Sequence, residues 1–361
     1  MMIKSIELSN FRNYESLNVN LSGNVTILYG DNAQGKTNIL EALFLASTTK
    51  SQKGSRDREM IRLGENESHI RMIIDNKGIE RKIDMHLRAN KAKGVAIDGI
   101  PIKKASELYG MMNIISFSPD DLSIVKDGPA ERRHFCDTEL CQLDKLYMHN
   151  LSGYLRSLDQ RNNLLKQISI NPELKGTLDI WDEQLVNFGK YLIERRSEFV
   201  DELNIIAAKI HKRLTNDREE LEIRYIPSAE AGQFAEKLRA DRDRDIFLKM
   251  TNEGPHRDDL EFIINGGDGK KFGSQGQQRT VCLTLKLAEI ELVKAKTGEN
   301  PVLLLDDVLS ELDENRQTKL LESINEIQTV ITCTGLEGFV KNRIKYDRVY
   351  KVNAGTVTRE S

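Results

Sequence analysis

The sequence predicts an α/β fold of mixed sheets and helices, interrupted by an inserted α-helical hairpin. Three observations carry this reading. A glycine-rich turn joins an apolar strand to a helix near residue 30, strand and helix alternate over the last hundred residues, and a helical period runs between them from about 140 to 214.

The 361 residues allow two or three compact units at about 100–200 residues each. With 39% hydrophobic residues and 7 prolines, a disordered chain is excluded. No window approaches the roughly 18 consecutive apolar residues of a membrane span, and Met1 to Glu7 lacks the apolar core of a signal peptide, so a cytoplasmic protein is expected. Cys136, Cys141, Cys282 and Cys333 show no paired metal spacing and read as small hydrophobes. The formal net charge is -3, yet residues 50–104 hold 14 Lys or Arg against 8 Asp or Glu, a local +6 that leaves -9 for the rest. Such a stretch is either a nucleic-acid surface or an ordinary solvated face.

Residues 3–8 and 15–21 read as short strands and 24–29 as an apolar strand ending in glycine, with a helix from near Lys36. Between 69 and 102 apolar and polar residues alternate, and Asp98-Gly99 between two apolar runs marks a hairpin turn. From about 140, Leu143, Tyr147, Leu151, Tyr154 and Leu158 recur at helical spacing, before Asn171-Pro172 breaks the pattern. A second stripe from Leu178 to Leu214 predicts a helix of about 38 residues, roughly 57 Å long. Two such helices across a proline-containing turn predict an antiparallel hairpin arm; two core helices of a bundle are the other reading. Strand character returns at 221–226 and 260–264, with a glycine turn at Gly266-Gly267. The remainder reads helix 276–297, strand 302–306, helix 313–325 and strand 328–333.

Gly30-Asp31-Asn32-Ala33-Gln34-Gly35-Lys36-Thr37 is a phosphate-binding P-loop both in pattern and in its place between strand and helix. Glycines let the backbone wrap a phosphate, successive amides and the helix N-terminus attract its charge, Lys36 reaches the terminal phosphates and Thr37 ligates magnesium. ATP and Mg²⁺ are therefore the expected cofactors. Val302-Leu303-Leu304-Leu305-Asp306-Asp307 supplies the apolar strand ending in carboxylate that such a site needs. Asp306 is expected to hold the metal; Asp307 either polarises the attacking water or caps a helix. Ser274-Gln275-Gly276-Gln277-Gln278-Arg279 opens a helix with a hydroxyl, a glycine and a positive helix end, and read alone it is a cap.

Taken together, these motifs resemble the ATP-binding-cassette proteins. Ser274-Gln275-Gly276 is similar to their signature loop, which touches the γ-phosphate of a partner subunit's nucleotide, and Ser310-Glu311-Leu312-Asp313 to the loop along their dimer seam. The resemblance implies an ABC-type P-loop ATPase head with two ATP sandwiched in a homodimer. Where that family usually has glutamate this chain has the shorter Asp307, which predicts slow hydrolysis, a switch more than a motor. Ser274 lies 238 residues after Lys36, farther than in transporter cassettes, and no histidine follows His256 to serve as their switch histidine; Thr334 takes that place. A transporter ATPase subunit is thereby disfavoured, and a small-molecule kinase would need a lid where the signature stands.

The opening Ile6-Glu7-Leu8-Ser9-Asn10-Phe11-Arg12-Asn13-Tyr14 resembles the chromosome-maintenance and repair heads of the SMC and Rad50 type, and the likeness makes Arg12 a nucleotide contact. Segments 117–122, 128–133, 254–259 (Gly-Pro-His-Arg-Asp-Asp) and 272–277 narrow it to the bacterial recombinational-repair branch of that family. This implies a head of 1–125 and 249–361 in two lobes and an arm of 126–248. It implies DNA binding at gaps with duplex and single-stranded parts, DNA-stimulated ATP hydrolysis, partnership with RecR and RecO, and loading of RecA. An arm of about 75 residues is too short for long-distance tethering. Candidate DNA contacts are Lys50, Lys53, Arg56 and Arg58, with a solvated loop as the alternative. Arg132 and Arg133 either bind DNA phosphate or pair with acids such as Glu131 and Asp137.

Overall fold

The computed structural model describes residues 1–52, 54–335 and 345–360, in two compact units: Met1–Asp121 with the chain from Glu289 onward, and Leu122–Ala288. Among the described residues no helix is long and apolar enough to cross a membrane.

The first unit holds two six-stranded sheets. One is antiparallel throughout, in the order Tyr14–Asn20, Met2–Phe11, Glu67–Asn76, Ile79–Arg88, Lys91–Ile97, Ile100–Pro101. Its alternation is the one read from the sequence: Ile70, Met72, Ile74, Ile83, Met85 and Leu87 are buried, and the polar residues between them face outward. A register shift between Ile3 and Ser5 lets Ile3 and Ile6 both reach the core despite their odd spacing. Asp98 and Gly99, at φ 52° and 81°, make the turn with both central residues left-handed.

The other sheet runs Thr356–Arg359, Arg348–Asn353, Val25–Tyr29, Thr329–Cys333, Val302–Asp306, Ile114–Phe117, parallel except for its first pair. The first-listed hairpin was not legible in the sequence. The helix Lys36–Thr48 touches strands of both sheets and is buried along nearly its whole length, as an all-round apolar sequence requires. The side-chain amide of Gln328 joins the sheets like an extra peptide group: it accepts from Ile3 N at 2.6 Å and donates to Ile3 O at 2.8 Å and Leu21 O at 2.9 Å.

In the second unit, helix Pro129–Leu143 begins with proline at its first turn, before the helical period becomes readable at about 140. The arm helices are Lys145–Ile168 and Leu178–Thr215, the second of 38 residues, joined by the 3₁₀ turn Pro172–Thr177. Contacts of Tyr147 with Arg196, Ser157 with Gln184 and Arg161 with Asp182 make the hairpin antiparallel. The hairpin is no bare coiled coil, because its long helix also packs on strand Leu221–Ile226 and helix Phe234–Ala240. The long helix fits an arm that is packed within its own unit. Leu221–Ile226, Asp259–Ile264 and Gly267–Asp268 complete a small antiparallel sheet.

Charged side chains, unforeseen in the sequence, centre this unit. Fully buried Arg161 pairs with Asp182 at 2.6 Å and Asp245 at 2.7 Å and donates to Thr251 Oγ1 at 2.8 Å. Arg196 pairs with Asp137 and Asp258, both at 2.9 Å. Cutting one partner from such a cluster strands a buried charge. Arg161→Ala should cost about 3–5 kcal/mol in unfolding of the arm, followed by denaturant titration of Trp181 fluorescence. This is the chain's one tryptophan, and it packs beside Leu164, Leu165, Ile168 and Leu178. A midpoint equal to that of the unsubstituted chain would show that the cluster does not hold the arm.

Candidate functional site

The parallel sheet brings the site together. Val25–Tyr29 and Val302–Asp306 both lie beside Thr329–Cys333, in parallel, so that Thr37 and Asp306, 269 positions apart, meet at the same end of the sheet. Thr37 Oγ1 donates to Asp306 Oδ1 at 2.9 Å, and Thr332 Oγ1, from the strand between, donates to the same oxygen at 2.8 Å. A hydroxyl and a carboxylate oxygen are hard donors of the type that magnesium takes, so these residues fit Mg²⁺ with its remaining positions filled by water and phosphate. Thr332 escaped the sequence reading; only its register opposite Asp306 reveals it.

The loop between strand and helix has the geometry that phosphate binding needs. Gly30 at φ 153° sits so close to Val352 that a Cβ would lie 2.2 Å from its carbonyl oxygen, and Gly35 at φ 113° packs on Asn13 and the Tyr14 hydroxyl. Ala33 is also left-handed, at φ 64°. Asp31, Asn32 and Ala33 are exposed at the tip, while Gln34 is half-buried. Lys36 is buried and its Nζ donates to Gly30 O at 2.7 Å and Asp31 O at 2.9 Å, which places the ammonium inside the loop's curve.

Two segments brace the loop from outside. Asn13 Nδ2 donates to Gln34 O at 2.9 Å, Tyr14 OH to Gly35 O at 3.0 Å, and Asn38 Nδ2 to Asn13 Oδ1 at 2.8 Å. From the hairpin after Arg348, Ala354 N donates to Gln34 Oε1 at 2.6 Å and Gly355 N to Gln34 O at 3.3 Å. Arg12, expected at the nucleotide, sits at φ 52° and grips Glu41 with Nε at 2.7 Å and Nη2 at 2.6 Å. It also donates to Ser55 Oγ and Glu59 O, so the structure ties it to the 55–59 segment.

Asp307 takes the left-handed conformation, φ 53°, its N–H donating to Thr332 Oγ1 at 2.9 Å and its carbonyl accepting from Ser310 Oγ at 2.7 Å. Its side chain makes no cap hydrogen bond, which leaves the carboxylate for other work. Burial holds that carboxyl above its ordinary range and neighbouring Asp306 adds to this, while Lys36 opposes them. Asp313 does cap, accepting from Arg316 N at 3.0 Å.

Ser274 is exposed and closes a reciprocal cap: its Oγ accepts from Gln277 N at 3.2 Å, and its N–H donates to Gln277 Oε1 at 2.9 Å. Gln275 and Gly276 form the first turn of helix Gln275–Thr297. The helix start brings a hydroxyl to the first turn, where the positive end of the helix favours an anion.

The basic candidates divide. Lys50, Arg56 and Arg58 are exposed; Lys53 lies outside the described residues. Ion pairs within the unit engage Arg62, Arg71, Arg81, Lys82 and Lys93, mostly with acids of the same stretch. For Arg132 a DNA contact is corrected: it is 3% exposed, paired with Asp259 through Nε at 2.5 Å and Nη2 at 3.1 Å, and donates to Asp127 O. The acid is Asp259, not the nearby Glu131 or Asp137, because the Pro129–Leu143 helix faces strand Asp259–Ile264. Arg133 is half-buried and donates to Asp258 O at 2.7 Å.

The same pairs explain the Gly-Pro-His-Arg-Asp-Asp segment, which is internal scaffolding. Asp258 also accepts from Tyr225 OH and Ser228 N. His256 is hydrogen-bonded to Tyr154 OH at 2.7 Å and to Thr251 O at 3.0 Å, and burial lowers it to about 4.

Comparison with known proteins agrees with this geometry. The RecF/RecN/SMC N terminal domain family matches residues 2–358. The chain is 60% identical to the DNA replication and repair protein RecF of Lachnoclostridium phytofermentans, over 99% of this chain and 100% of that one. It is 58% identical to RecF of Agathobacter rectalis over 99% of each. Among solved structures, RecF with ATP, described as a recombination mediator protein of the RecFOR pathway, superposes with a TM-score of 0.92 at 34% identity, covering 100% of this chain and 98% of that one. An Smc head of Pyrococcus furiosus bound to the C-terminal domain of ScpA shares the fold, with a TM-score of 0.56 at 17% identity over 99% and 96%. By sequence and by structure, the chain belongs to the RecF family of DNA replication and repair proteins, within the RecF/RecN/SMC ATPases.

Proposed function

We propose that this chain is an ATP-driven switch of recombinational repair: ATP with Mg²⁺ joins two copies, the joined heads hold gapped DNA, and slow, DNA-stimulated hydrolysis to ADP and phosphate releases them. The observation that carries the proposal is the convergence of Thr37 and Asp306 beside a loop that encloses Lys36. Lys36 holds the terminal phosphates, the backbone of 30–37 wraps them, and Thr37 and Asp306 hold the metal, which neutralises charge on the departing phosphate. Asp307 accepts the proton of the attacking water. Ser274, Gln275 and Gly276 reach the partner copy's γ-phosphate, which explains why an exposed helix start carries a serine that already has a capping partner. Arg12 acts on the nucleotide through its remaining N–H or through the segment it anchors. The head of 1–125 and 249–361 carries this chemistry, with 126–248 as its inserted arm. By kinship with RecF of the RecFOR pathway, the partners are RecR with RecO, and the outcome is RecA loading.

The test is light-scattering mass with and without ATP, Mg²⁺ and a gapped duplex. The expected result is an ATP-dependent dimer strengthened by DNA. Lys36→Ala should lose nucleotide binding, whereas Ser274→Ala should bind nucleotide as a monomer and fail to dimerise. Equal loss of nucleotide binding in both would sink the two-copy site.

Asp307→Asn keeps a residue tolerant of left-handed backbone and removes only the base. Hydrolysis should fall about 10²–10⁴-fold with ATP binding intact. In the unsubstituted chain, hydrolysis should decline as pH falls through the raised Asp307 value, above the ordinary 3.8, because the base works only when ionised. An acid limb that persists in the residual activity of Asp307→Asn would assign it elsewhere.

DNA affinity should fall steeply with salt through counterion release. Replacing Lys50, Arg56 and Arg58 with Ala should flatten the log–log slope by about one per residue that touches phosphate. An unchanged slope would leave these three as a solvated loop.

A further inference from the structure

Outside the nucleotide site, the antiparallel sheet carries a ligand set that the switch does not use. His69 and His86 are directly opposed in register, and Glu67, two residues before His69, shares their face. The imidazoles stack with centroids 4.0 Å apart, His86 Nε2 lies 2.9 Å from Glu67 Oε2, and one donor atom from each of the three lies within 4.8 Å of the others. The row across the sheet reads Ser16, Ser9, His69, His86, Gly94, so small residues flank the histidines on both neighbouring strands. That row lines a groove of about 610 Å³ together with Glu7, Arg71 and Asp84.

We propose that Glu67, His69 and His86 form a binding site for a divalent cation of the zinc class. Two imidazoles and one carboxylate are a donor set that zinc prefers and magnesium does not. Tetrahedral coordination at about 2.0–2.1 Å brings donor atoms to roughly 3.4 Å from each other, a modest closure from their present spacing. The groove along this strip leaves side chains room to make it, with the small residues Ser9 and Gly94 as the neighbours in register. The carboxylate already approaches one imidazole, so the cation replaces that hydrogen bond and does not have to assemble the pair. Three protein ligands leave the fourth position open to water or an anionic oxygen within the groove. The bound cation pins strand Glu67–Asn76 to strand Ile79–Arg88 at the end remote from their Lys77-Gly78 turn.

The probe is zinc alone, titrated calorimetrically into the full chain stripped with chelator and free of nucleotide, with cobalt absorption as the reporter of tetrahedral nitrogen and oxygen ligation. One equivalent is expected to bind. His69→Gln, His86→Gln and Glu67→Gln should each weaken it at least tenfold, with ATP binding and circular dichroism unchanged. Arg71→Gln, on the same strip but not a ligand, should leave affinity intact. Undiminished zinc binding in a His69→Gln, His86→Gln double variant, a thiolate charge-transfer band from the cysteines, or no binding at all would overturn the assignment.

Discussion

One strand separates the two halves of the nucleotide site, and almost everything else follows from that spacing. Thr329–Cys333 lies between the strand that feeds the phosphate loop and the strand that ends in Asp306, and Thr332 on it donates to Asp306 while accepting from the Asp307 amide. A single threonine hydroxyl therefore fixes both the Asp306 carboxylate and the backbone of its neighbour. Left-handed Asp307 then turns its side chain away from capping duty, and the raised carboxyl follows from burial beside Asp306. The glycines at 30 and 35 let neighbouring groups approach to distances that no Cβ would allow.

The second unit rests on a different device. Arg132, Arg161 and Arg196 each bridge elements distant in sequence, to Asp259, to Asp182 and Asp245, and to Asp137 and Asp258. Buried pairs of this kind contribute little net stability over apolar packing, yet they are costly to mismatch, which favours one arrangement of the hairpin over slipped alternatives. Residues of the 254–259 segment thus serve the scaffold of the second unit.

What the sequence made legible was what has a period or a rigid local rule. The alternation at 70–74 and 83–87, the stripe of the 38-residue helix, the Asp98-Gly99 turn and the phosphate loop all depend on neighbours within a few residues. Arg132 was ambiguous because its partner lies 127 residues away, where no spacing points to it. Thr332 looked like one apolar-strand residue among others, since its role exists only in register with Asp306. The hairpin that closes on Gln34 is short and half-exposed, too weak a pattern to stand out. For Arg12 the likeness of its segment suggested a nucleotide contact, and no local rule pointed to its ion pair with Glu41 on the following helix.

The order of the parallel sheet also governs when the site can come into being. Val25–Tyr29 is flanked only by Thr329–Cys333 and Arg348–Asn353, so the strand beneath the phosphate loop has no sheet neighbour until some 300 further residues exist. At about 5–20 residues per second on the ribosome, that strand waits roughly 15–60 s, an apolar segment lacking both edges, while the antiparallel sheet of residues 2–97 can already pair within itself. Nascent chains therefore carry an unbraced phosphate loop for most of their synthesis, and its strand gains both neighbours only in the final moments of translation.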